Sequence, residues 1–231
     1  VTDDLVAMQK SFEDLDPNTT FKSLADDIIA AENATGVLSS ELLDASANLA
    51  PLAGQLGITS EQLVRFVSAA TQVSGKGAGA VSERLGRFLT EIQSKQGLIT
   101  EIFAQVATVD LNEISKGFAS QDMGKLLETL IKDYQKLGPE LKKRFANEVI
   151  GDRGAQDVIG LFTNSSVALN KVDSTNALDD RFAKVRDTVE EAVARIKTAF
   201  GELGTVLFQA GLGDALKDIA IGAGAVMTVV T

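Results

Sequence analysis

Cysteine, histidine and tryptophan are absent from this sequence, and it has one tyrosine and three prolines. Without cysteine no disulfide framework forms, and the redox compartment cannot be read. Without histidine the commonest general base and the commonest metal ligand are both missing. No serine sits in a G-x-S-x-G elbow, and no carboxylate ladder has metal-ligand spacing. The acid pairs Asp26-Asp27, Asp179-Asp180 and Glu190-Glu191 are adjacent, so on a helix their side chains diverge. The expectation is a protein that is not an enzyme, with no catalytic, cofactor-binding or metal-ligating residues and no cofactor. Positive charge is short as well: 22 Lys and Arg face 32 Asp and Glu, a net charge of −10. That argues against a nucleic-acid-binding surface, which needs clustered cations, and no specific nucleic-acid binding is expected. An acidic chain can line a channel through which DNA slides, but solubility is the plainer reading of the charge. No signal peptide is evident, and nothing in the first 210 residues is long and apolar enough to span a bilayer.

What is abundant is Ala, Leu, Glu, Lys and Gln, good helix formers, in a chain of 231 residues that is 45% hydrophobic. The chain begins with Val1 and stops inside an apolar run, so it is expected to be a piece of a longer protein. Residues 1–38 read as an N-terminal helical segment. Its first helix runs Thr2–Leu15 and breaks at Asp16-Pro17-Asn18; its second runs Thr20–Asn33 and ends at Gly36. Ser39 or Ser40 caps the third helix, Pro51 opens a new helical segment, and Thr59-x-x-Gln62 is a capping box for Ser60–Val73. GKGAGA (75–80) follows no strand, and Lys76 precedes Gly77 rather than Ser or Thr, so it is no phosphate loop. It reads as a flexible turn into a helix at Val81–Gln93.

A short helix at Gly97–Val106 precedes a segment, 107–121, without a clear pattern. Asp122 then opens a helix with the stripe Met123, Leu126, Leu127, Leu130 and Ile131, and Gly138-Pro139 forms a sharp joint. Lys142, Lys143 and Arg144 form a solvated basic knot on the helix that follows.

The stretch around which the middle of the chain is organised is Asn147–Phe162, NEVIGDRGAQDVIGLF. Gly151 stands where a helix end tolerates only a left-handed residue, and Asp152 is a good N-cap for the next helix. Gly154 and Ala155 offer almost no side chain and permit close approach. With Arg153 these are the candidate structural motif, and an ordinary helical hairpin explains it. Beyond a polar connector, Asn176 caps the longest periodic segment, Ala177 to about Ala210. Leu178, Val185, Ala192, Ala199 and Val206 form one heptad series; Phe182, Val189, Ile196, Leu203 and Ala210 form the other. Phe182, Val185, Val189, Ile196 and Leu203 are the candidate oligomer seam. Val193, Phe200 and Leu207 widen it, so either three or more helices meet there or the helix packs on its own domain. The apolar run 219–231 is either the start of a membrane-length helix or a buried helix cut short.

Three of these stretches resemble the core region of phage tail tape measure proteins, in that family's order. LGITSEQLVRF (56–66) resembles its helix start, VSGKGAGAVSERLGRF (73–88) its Gly-rich turn and basic helix, and VIGDRGAQDVIGLF (149–162) its hairpin. The resemblance covers roughly Ser39 to Lys171. ATVDLNEISKGF (107–118) departs from the family's usual turn.

The fold expected is all-α: short helical hairpins followed by a long heptad-patterned helix. Its domains are 1–38, a tape-measure-like core at 39–172, and 177–231. The resemblance implies a structural component of the virion that sets tube length and occupies the tail lumen before DNA ejection. Implied partners are further copies of the chain (a trimer), tail tube and tail tip proteins, and tail assembly chaperones. Host-membrane contact would run through apolar segments elsewhere in the parent chain. A different class also fits the helices: a membrane-inserting or partner-binding protein, such as a toxin or translocator stalk.

Overall fold

The computed structural model describes residues 2–17, 19–120, 122–151, 155–170 and 174–209. In chain order they form α1 (Thr2–Phe12), α2 (Phe21–Thr35), α3 (Ser39–Gln55), α4 (Ser60–Ser74) and α5 (Ala78–Glu91). A 3-10 turn, Ile92–Lys95, leads to α6 (Gln96–Ala104), α7 (Leu111–Ala119), α8 (Met123–Tyr134) and α9 (Pro139–Arg144). A π-helical segment, Phe145–Gly151, precedes α10 (Ala155–Thr163), α11 (Ser165–Leu169) and α12 (Ala177–Gln209). The protein is all-α, with no strand among the described residues. Two compact units divide the chain, Val1–Leu178 and Asp179–Thr231.

The first unit is built around α4. Thr59 Oγ1 accepts the Gln62 amide at 3.3 Å while the Thr59 amide donates to Gln62 Oε1 at 3.0 Å, so the capping box forms. Every residue from Leu63 to Thr71 is buried. A helix buried all round belongs at the centre of a domain, and α4 touches α2, α3, α5, α10 and α11. α1 and α2 share this core, through Met8, Phe12, Leu24 and Ile28.

Several local readings are corrected. α1 stops at Phe12, three residues before Leu15. α3 starts at Ser39, but its N-cap position is Leu38, and no side chain caps it. Pro51 lies inside α3 rather than opening a helix. It sits on the exposed side of the helix, away from the core. α3 ends with Gly57 at φ 70°, the Ile58 amide donating to Ala53 O at 2.9 Å and the Ile58 side chain fully buried. That is the Schellman arrangement. α5 begins at Ala78, within the glycine run, because Ala78, Val81, Ser82 and Leu85 already form a buried face. The patternless segment contains α7, capped by Asp110, which accepts the Asn112 amide at 2.9 Å. α8 carries its five-residue stripe buried as expected, and Pro139 opens α9 after Gly138.

Candidate functional site

The joint between α9 and α10 starts from an aromatic cluster. Phe145 lies 4.9 Å from Phe162, 5.5 Å from Tyr134 and 5.8 Å from Phe103, mostly edge to face. Phe88 adds a further edge contact to Phe162 at 5.8 Å. Such pairs add modestly to the area they bury, and here they tie α5, α6, α8 and α10 to one point. Burial also pushes the Tyr134 hydroxyl pKa up.

The segment after Phe145 widens into π geometry. Lys95 Nζ donates to the Val149 carbonyl at 2.6 Å, and Glu91 holds the same ammonium at 3.3 Å. Arg144 is not merely solvated: it pairs with Glu101 at 2.9 Å and with Glu148 at 3.1 Å. Lys142 lies 5.3 Å over the Tyr134 ring.

Gly151 ends the segment at φ 90°, a conformation glycine adopts without strain. Asp152, Arg153 and Gly154 lie outside the described residues, as does the side chain of Ala155. Within this hairpin, the described glycine that permits close approach is Gly160. A Cβ there would stand 2.9 Å from the Ala70 carbonyl oxygen and 3.0 Å from Val73 Cβ. The sequence carried a signal for it: a glycine inside the apolar run VIGLF costs helix stability and so marks a packing need.

Two polar clusters escaped the sequence reading, because only the fold brings their members together. Arg65, 3% exposed, donates from Nη2 to Glu128 Oε1 at 2.9 Å and from Nη1 to the Ala168 carbonyl at 3.1 Å. Gln62 donates to the same Glu128 oxygen at 3.1 Å. α4, α8 and α11 are thereby joined. The second cluster is at the start of α12. Asp26 Oδ1 accepts the Leu178 amide at 2.8 Å, and its other oxygen takes Lys22 at 2.9 Å. Asn176, expected to be the cap, has φ 61° instead of an extended N-cap conformation. The first turn of α12 is therefore capped by a carboxylate from α2. Asp27 bonds Ser174.

In the second unit, α12 is a single helix of 33 residues. Phe182, Val185 and Val189 are 64%, 55% and 47% exposed along it. Arg195 pairs with Glu191 at 2.7 Å and Arg186 with Glu190 at 3.9 Å. The side chains of Ile196 and Leu203 lie outside what is described. Among the described residues no helix is long and apolar enough to cross a membrane, and no carboxylate group is arranged to hold a metal ion.

The geometry defines an all-α protein of closely packed short helices, continued by a long helix that displays an apolar stripe. The family model for phage-related minor tail protein matches residues 1–151, more than half of the chain, and the chain belongs to that family. It is thus a structural component of a phage tail. The match takes in α1 and α2 and stops at Gly151, so α12 lies beyond it. No curated protein and no solved structure matches the chain.

Proposed function

We propose that this chain is a segment of a tape measure protein, occupying the lumen of the tail tube and setting its length until DNA is ejected. The observation that carries this reading is α12: one helix of 33 residues with Phe182, Val185 and Val189 exposed on one face. A helix of this length reaches about 50 Å, and an apolar stripe left open on it calls for neighbours. Membership in the minor tail family and the ordered tape-measure-like stretches between Leu56 and Phe162 support it. The seam of Phe182, Val185, Val189, Ile196 and Leu203, with the added column at Val193 and Phe200, is too wide for two strands and suits a trimer. The tail tube, tail tip proteins and assembly chaperones are the partners this role requires. The packed helices of the first unit serve assembly, because folded compactly they add little length.

An in-frame deletion of Val185–Thr205 tests the proposal. It removes three heptads and leaves both apolar columns in register. Tails of the resulting virions are expected to be shorter by roughly 30 Å.

A further inference from the structure

The negative charge of this protein is not spread evenly. Residues 1–61 hold eleven Asp and Glu against two lysines, and so account for nearly all of the net charge of −10. The same stretch carries an apolar groove of about 210 Å³ where α1, α2 and α3 meet. Leu5 of α1, Ala25, Ile28 and Ile29 of α2, and Ser40 and Leu43 of α3 line it. The apolar surface continues past both ends. Phe21, one turn before Ala25 on the same α2 face, is 47% exposed, and Leu38, just before α3, is 56% exposed. Two carboxylates rim the floor, each one turn from a lining residue: Glu32 beyond Ile28 on α2 and Asp44 beyond Ser40 on α3. Asp44 is exposed.

We propose that this groove is a docking site for a partner protein's amphipathic helix, one whose apolar stripe is flanked by Lys and Arg. Shape and charge select that occupant together. The face of α2 from Phe21 through the groove to Glu32 rises about 16 Å, or three turns of helix, and an apolar face at i, i+3, i+4 and i+7 matches such a surface. The acidic rim meets cationic flanks, steers them in, and rejects a helix flanked by carboxylates. The site is independent of the ruler reading, since it belongs to the first unit and needs no tube.

The test uses the full chain and two fluorescent peptides of about 18 residues, or five turns. Both carry the same leucine stripe, flanked by lysines in one and glutamates in the other. Anisotropy titrations should show the lysine peptide binding at least about tenfold tighter. Ser40→Tyr, which fills the groove from an exposed position, should weaken it by a similar factor. Asp44→Lys, which reverses the charge at the exposed rim, should reduce the preference. Circular dichroism confirms that these surface variants remain folded. Absent binding, equal binding of the two peptides, or binding indifferent to both variants would overturn the proposal. So would self-association that Ser40→Tyr disperses, because the groove would then be filled by a second copy.

Discussion

At Gly160 a hydrogen in place of a side chain decides how closely α10 lies on α4. A methyl group there meets the Ala70 carbonyl oxygen at 2.9 Å, a backbone atom that cannot swing away. Gly160→Ala is therefore expected to destabilise the first unit by about 1–3 kcal/mol. Gly79, inside α5 with nothing within 4 Å of its virtual Cβ, is the control. Gly79→Ala should stabilise by up to about 1 kcal/mol through helix propensity; urea unfolding of the two variants checks both. Gly75, where the sequence alone suggested a looser turn, caps α4 at φ 65° and is as conformationally demanding as Gly151.

The other informative residue is Asp27. Burial, aided by Glu61 and Asp26 and opposed by the Ser174 hydrogen bond and Arg65, raises its pKa from 3.8 to about 6. The folded protein thus holds this proton more tightly than the unfolded chain. This contribution to stability is greatest at low pH and is lost as pH rises from about 4 to about 6. The difference in urea midpoint between wild type and Asp27→Asn should change across that window in favour of the Asn variant. A difference that stays flat with pH would show that Asp27 titrates normally.

At the scale of elements, legibility followed the length of the apolar pattern. α8 was plain because five apolar residues at helical spacing, behind the N-cap Asp122, announce it. α7 was not, because its buried face is only Ile114 and Phe118, one turn apart, too short a signal to separate from a loop. Pro51 read as a boundary, since proline costs a helix a hydrogen bond. Nothing local reveals that Leu49, Ala50 and Ala53 on either side are held in the core. The hub was hidden for a related reason. An arginine in the middle of α4 looks like a solvated cation until α8 and α11 bring Glu128 and the Ala168 carbonyl to it. Arg65→Met keeps the volume and removes those bonds. Glu128 remains about a third exposed, so the loss is discounted to about 2–3 kcal/mol, below that of a fully buried pair. Chemical denaturation measures it; a change under about 0.5 kcal/mol would mean that apolar packing alone holds the three helices.

For the molecule as a whole, the two units suggest two jobs. The first, with α4 buried among its neighbours, is a packed helical core. The second offers a helix whose apolar face awaits company. The segment containing α12 is expected to self-associate, and Val189→Asp with Ile196→Asp should leave monomers in sedimentation equilibrium. A clean monomer for the unmodified chain at high concentration would remove the seam. The one long helix was legible because its apolar spacing persists for more than four repeats. The cap from Asp26 was not, because 152 residues separate it from Leu178.

The ruler is the central claim, and tail length against residue count tests it most directly. Virions carrying the deletion of Val185–Thr205, the unaltered chain, or a duplication of the same segment give three points imaged under one set of conditions. The account predicts a straight line of about 1.5 Å per residue. Tails of one length in all three would contradict it, and would leave this chain a minor tail protein whose long helix measures nothing.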